Sequence, residues 1–135
     1  MKALLLIWLV TATELGLAQE KATIGDFTKS RTEHIINQID QPFTVRSVAG
    51  VISRKQGDQG PLPDVLFEIQ GTGTDRKIKR AKTNQYGRFK IEHVPVGTYK
   101  FKATLDGFQS VMGTVTVSKK AEGTADVKIE MSVGV

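Results

Sequence analysis

From Phe43 onward the chain alternates between apolar and polar side chains. Val65, Phe67 and Ile69 interleave with Leu66, Glu68 and Gln70, and Phe89 and Ile91 interleave with Arg88, Lys90 and Glu92. Tyr99, Phe101, Ala103 and Leu105 interleave with Lys100, Lys102 and Thr104, and Val127, Ile129, Met131 and Val133 with Lys128, Glu130 and Ser132. A period of two sends successive side chains to opposite faces, so each run predicts a strand with one face in a core and the other in water. Turn signals punctuate the runs: Pro95 followed by Gly97, Asp106-Gly107, and Asn84-Gln85-Tyr86-Gly87, with loops over 56–63 and 71–75. The spacing predicts seven strands, over 44–54, 64–70, 76–83, 87–92, 98–105, 108–117 and 125–133. Short strands with a turn about every ten residues describe an all-β sandwich.

The first 42 residues follow other rules. Lys2 precedes an apolar run from Ala3 to Val10, and Gly16-Leu17-Ala18 places small residues where a signal peptidase cuts. The run is too short to span a bilayer, and Glu14 follows it closely. Residues 1–18 therefore read as a secretory signal and 19–42 as a leader, with the sandwich domain over 43–135. In the leader, Ser30-Arg31-Thr32-Glu33 has capping-box spacing ahead of Ile35, Ile36 and Ile39, which predicts a short amphipathic helix. A flexible segment is the alternative, because so short a helix is marginal without packing.

Composition narrows the setting. The 135 residues give room for one domain and contain no cysteine, so an exported form must be held by burial alone. That suits a bacterial periplasm or exterior. The formal charge of +5 is unchanged by removing the signal, which carries one Lys and one Glu. Such a balance permits contact with acidic surfaces.

Candidate chemistry is sparse. His34 and His93 are the only histidines, which excludes a three-histidine zinc site, and the acidic residues are not spaced as in a calcium loop. His93 beside Glu92 has the makings of a base, but the preferred reading is a solvated histidine at a strand end. No Gly-x-Ser-x-Gly elbow occurs. The expectation is no catalytic residue, no metal and no cofactor.

The densest charge lies in Arg76-Lys77-Ile78-Lys79-Arg80-Ala81-Lys82, five basic residues in seven. Arg76, Lys77, Lys79, Arg80 and Lys82 suit an acidic partner, an acidic surface or a polyanion. The favoured reading is an edge strand made repulsive so that sheets do not pair edge to edge, a protection that natural sandwiches need. The run lacks interleaved aromatics, which counts against nucleic acid. Tyr86 and Phe108 sit at turns, where they would serve a glycan platform or lid the ends of the sandwich.

Val48-Ala49-Gly50-Val51-Ile52, Pro63-Asp64-Val65-Leu66-Phe67-Glu68-Ile69, Thr83-Asn84-Gln85-Tyr86-Gly87-Arg88-Phe89-Lys90-Ile91, Val94-Pro95-Val96-Gly97-Thr98-Tyr99 and Asp106-Gly107-Phe108 together resemble the carboxypeptidase regulatory-like domain family. The resemblance runs over about 45–133 and departs at Val96, where the family often has a second Pro. It implies a transthyretin-like, seven-stranded Greek-key sandwich and a non-catalytic accessory module. The expected function is protein interaction or structural support in the cell envelope, with another envelope or secreted protein as partner; the alternative is a carbohydrate-binding module.

Overall fold

The computed structural model describes residues 27–134. The secretory-signal reading of 1–18 lies outside the described residues, as does the start of the leader. Nine strands form: β1 (Ile36–Gln38), β2 (Phe43–Val45), β3 (Val48–Arg54), β4 (Leu66–Gly71), β5 (Ile78–Lys82), β6 (Arg88–Ile91), β7 (Gly97–Thr104), β8 (Ser110–Val117) and β9 (Val127–Met131). Sheet A has the order β1-β8-β7-β4-β5, with β2 also lying along β8; sheet B has the order β6-β3-β9. They face each other as a β-sandwich.

The inward residues are those the alternation selects. Phe67 and Ile69 of β4, Phe101 and Ala103 of β7, and Val111, Val115 and Val117 of β8 meet Val48 and Ile52 of β3, Phe89 and Ile91 of β6, and Val127, Ile129 and Met131 of β9. The sheets are joined by a stack of rings. Phe67 lies 4.1 Å from Phe89 and 5.3 Å from Phe101 between centroids, at 25° and 24°. Each such pair contributes about 0.5–1.5 kcal/mol beyond the area it buries. Gly113 of β8 makes room for this stack, since a Cβ there would sit 2.7 Å from the Phe101 ring.

Two expectations need correction. The strand read over 44–54 is broken at Arg46 and Ser47: β2 pairs parallel with β8 in sheet A, while β3 pairs with β6 and β9 in sheet B. One apolar run thus serves both layers, turning a corner of the sandwich. The helix read over 30–39 is also absent. Residues 27–35 form an extended strap with one turn at Arg31 and Thr32, and β1 then pairs parallel with β8 from Ile36↔Ser110 to Gln38↔Met112. Its three isoleucines do not share a face: Ile39 packs on the core, whereas Ile35 and Ile36 are exposed. The edge of β8 offers backbone partners that an isolated short helix cannot match. Glu33, the acid of the expected capping box, is instead drawn across to Lys102.

Candidate interaction surface

β5 pairs with β4 alone, so it is an edge of sheet A, and the basic run divides around it. Lys79 and Ala81 lie opposite Ile69 and Phe67, on the inward face; Arg80 and Lys82 lie opposite Glu68 and Leu66, on the outward face. Lys79 donates from Nζ to the carbonyl of His93 at 2.8 Å. Arg80 is spent on the fold, its Nε and Nη2 lying 3.1 and 3.0 Å from Oε2 of Glu68. Lys82 is exposed.

Lys77 and Lys79 border a cleft of about 440 Å³ at one end of the sandwich, between the β4–β5 loop and the turn before β7. Its wall includes Tyr99, whose hydroxyl donates to the Pro95 carbonyl at 2.6 Å. Burial, and then the nearby charge of Asp75, raises the pKa of that phenol. Arg76 faces another opening, a cleft of about 510 Å³ bordered also by Phe27, Lys29, Gln70, Lys100 and Lys102. This second cleft lies on the outward face of sheet A, because Gln70 pairs with Lys100, and Glu68 with Lys102, in the β4–β7 register.

That face is not the solvated one that alternation alone suggests. Glu68 has no exposed surface, and Gln70 and Lys102 are almost as deeply covered. The strap accounts for it. Oε1 of Glu68 accepts the Thr28 backbone N–H at 2.8 Å, and Oε2 accepts the Thr28 hydroxyl at 3.0 Å. Glu33 meets the Lys102 ammonium at 2.9 Å and accepts the Ser110 hydroxyl. Burial would raise the Glu33 pKa, but these bonds and the charges of Lys102 and Lys29 hold it below the ordinary carboxylate range. Farther along, Arg31 binds Asp106 at 2.9 Å and lowers its pKa, and Thr32 Oγ1 accepts the Gly107 N–H at 2.7 Å.

The two turn aromatics part company. Leu66 pairs with both Lys82 and Thr104, so the turn carrying Tyr86 and the hairpin carrying Phe108 leave sheet A at the same end. Tyr86 is 64% exposed, above a turn in which Asn84 Oδ1 accepts the N–H groups of Tyr86 and Arg88. Phe108 instead packs on the core and bridges to Val133. His93 is exposed, and its neighbour Glu92 pairs with Lys90. Its backbone stands at φ 59°, in the left-handed region, and its carbonyl accepts the Lys79 ammonium. No group of three His, Cys, Asp or Glu side chains able to hold a metal gathers among the described residues.

Glu68 and Lys102 were not singled out from the sequence, and Glu33 was read only as the acid of a capping box. The available signal was Glu68, an acid set in the apolar run of β4 directly beside Phe67 and Ile69.

The model of the carboxypeptidase regulatory-like domain family matches residues 47–131. Among curated proteins none matches the chain. Two solved structures share some of its course. The 3-chlorocatechol 1,2-dioxygenase of Rhodococcus opacus 1CP has a TM-score of 0.47 at 10% identity, over 80% of this chain and 70% of that one. The chlorocatechol 1,2-dioxygenase of Pseudomonas putida has 0.45 at 9%, over 82% and 70%. Likeness at that level supports no inference about activity.

Proposed function

The chain belongs to the carboxypeptidase regulatory-like domain family, and from that membership we propose that it is an exported, non-catalytic module that holds a protein partner in the bacterial cell envelope. The observation that carries the reading is the division of the basic run. Arg76 and Lys77, consecutive in sequence, border different clefts on either side of the β5 edge, and neither has a carboxylate within salt-bridge distance among the described residues. Cations left uncommitted beside concave surface are available to a partner. The groups whose pKa values are lowered, Glu33 and Asp106, are occupied in fastening the strap, Glu33 on Lys102 and Ser110 and Asp106 on Arg31.

A photo-reactive residue placed at position 77 tests this directly. Irradiation of envelope preparations should give one discrete protein adduct, lost when the same residue is placed at 128 on sheet B. Adducts equally diffuse from both positions refute the reading. An enzyme reading requires instead a hydrolysis that disappears in His93→Ala. Tyr86, the exposed turn aromatic, favours the carbohydrate alternative; a glycan array on which binding vanishes with Tyr86→Ala would establish it.

A further inference from the structure

The geometry points to the outward cleft of sheet A as a docking groove for an acidic, extended peptide segment of the partner, an inference that rests on the protein-binding reading above. The first ground is charge. Lys29, Arg76, Lys100 and Lys102 border the opening, against the single carboxylate of Glu33. Glu33 is already committed to Lys102 and Ser110, and no carboxylate among the described residues lies within salt-bridge distance of Lys29, Arg76 or Lys100. Like charges gathered at one concave site repel one another, and a bound anion relieves them.

The second ground is what the face already holds. The strap crosses it, turning at Arg31 and Thr32, and lays the carboxylate of Glu33 onto Lys102, a residue only 5% exposed. One N–H of that ammonium is directed to Glu33, and the group has three to give. The strap therefore displays the chemistry of recognition, a Glu carboxylate on a Lys ammonium.

The third ground is spacing. Lys100 and Lys102 stand on the same face of β7, two residues apart. The strand repeat between them is roughly 7 Å, which is also the spacing of alternate side chains in any extended peptide. With Glu33 on Lys102, acids at alternate positions of a peptide lying along β7 fall on Lys100 and then toward Arg76. The half-buried Phe27 at the rim gives such a chain an apolar contact. A compact anion such as phosphate would gain nothing from this periodicity.

The probe is a fluorescent octapeptide with Glu at alternate positions and Thr between, capped at both ends, titrated against the mature protein and followed by anisotropy. Binding should weaken with added salt and be lost when every Glu is replaced by Gln. Arg76→Gln/Lys100→Gln should weaken it about tenfold or more, the scale of two exposed ion pairs at somewhat under about 1 kcal/mol each. Lys119→Gln/Lys128→Gln removes the same charge elsewhere and should change it less than about twofold. Equal losses in the two double variants would mean attraction to net charge and overturn the groove. So would displacement of the peptide by inorganic phosphate at comparable concentration. A gain of about tenfold or more in Asp26→Asn would show that the residue preceding Phe27 fills the groove in cis, and would overturn a partner's claim to it. If the peptide ignores the groove while position 77 still captures a protein, this inference falls and the interaction module stands; if both fail, both fall.

Discussion

Glu68→Gln is the perturbation with the most to say about the strap. The wild-type carboxylate has no exposed surface and takes four contacts, two from Thr28 and two from Arg80. The amide keeps the shape, but one of its two polar atoms can no longer accept, and its charge is gone. Breaking a buried ion pair costs about 3–5 kcal/mol when the surviving charge stays buried. Here the survivor is Arg80, 51% exposed, whose guanidinium regains water. The cost therefore falls to about 2 kcal/mol, the scale of one charge-assisted bond to a buried acceptor. It should be felt first as strap release, since segments tied by few contacts open below the global unfolding energy. Trypsin reads it, because Lys29-Ser30 and Arg31-Thr32 lie in the strap. A loss of about 2 kcal/mol in docking speeds cleavage there about thirtyfold. Glu68→Leu separates strap from sheet: an apolar side chain of similar volume should leave the urea midpoint of the sandwich level or higher, yet free the strap just as fully. Unchanged cleavage in both variants would refute the account of Glu68 as the latch.

Acid should loosen the same strap. The Glu33 and Asp106 pKa values are lowered on folding, so their contribution is complete above the unfolded values, 4.5 and 3.8, and fades as pH falls through the lower folded ones. Amide exchange over 28–33, corrected for its intrinsic rate, should accelerate in that window and stay flat above it; Glu33→Gln should remove most of the dependence. Gly113→Ala should cost about 1–3 kcal/mol in a urea titration, because its Cβ meets the fully buried Phe101 ring, and Phe101→Leu in the same chain should recover part of the loss. Lys79→Val should promote aggregation seen by light scattering while leaving partner capture intact, whereas Arg76→Gln/Lys77→Gln should do the opposite.

The sandwich was legible because alternation is a direct record of which side of a strand faces the core. Phe67, Phe89, Phe101 and Ile129 all fall inward as the period requires. The same record is silent about what lies over the other side. Glu68, Gln70 and Lys102 were read as facing water; they do face outward, but the strap is tied onto Glu68 and Lys102, and Gln70 donates to the Arg76 carbonyl. Nor does alternation register a change of sheet. Arg46 and Ser47 carry neither Gly nor Pro, so nothing local marks the corner where the chain leaves β8 for β3. The helix reading failed for a related reason: Ser30 and Glu33 have the right spacing for a capping box, but spacing could not show that Lys102 and Ser110 compete for the same carboxylate.

Edge protection and partner binding looked like rival accounts of one basic run, but the register of β5 gives its residues different surroundings, so both accounts can hold for different residues. A charge pointing inward from an edge strand is an effective guard, because a second sheet pairing there would have to bury it. Lys79 is in that position, opposite Ile69, with its ammonium held on the His93 carbonyl. Arg80 is paired with Glu68 and helps bury the outward face. Neither is free to serve a partner without releasing something the fold uses. Arg76 and Lys77 precede the strand and contribute nothing to its register, so their charges are not needed to guard it. If Arg76 and Lys77 serve the proposed partner, variants on either side of Ile78, the first residue of β5, should fail in different ways.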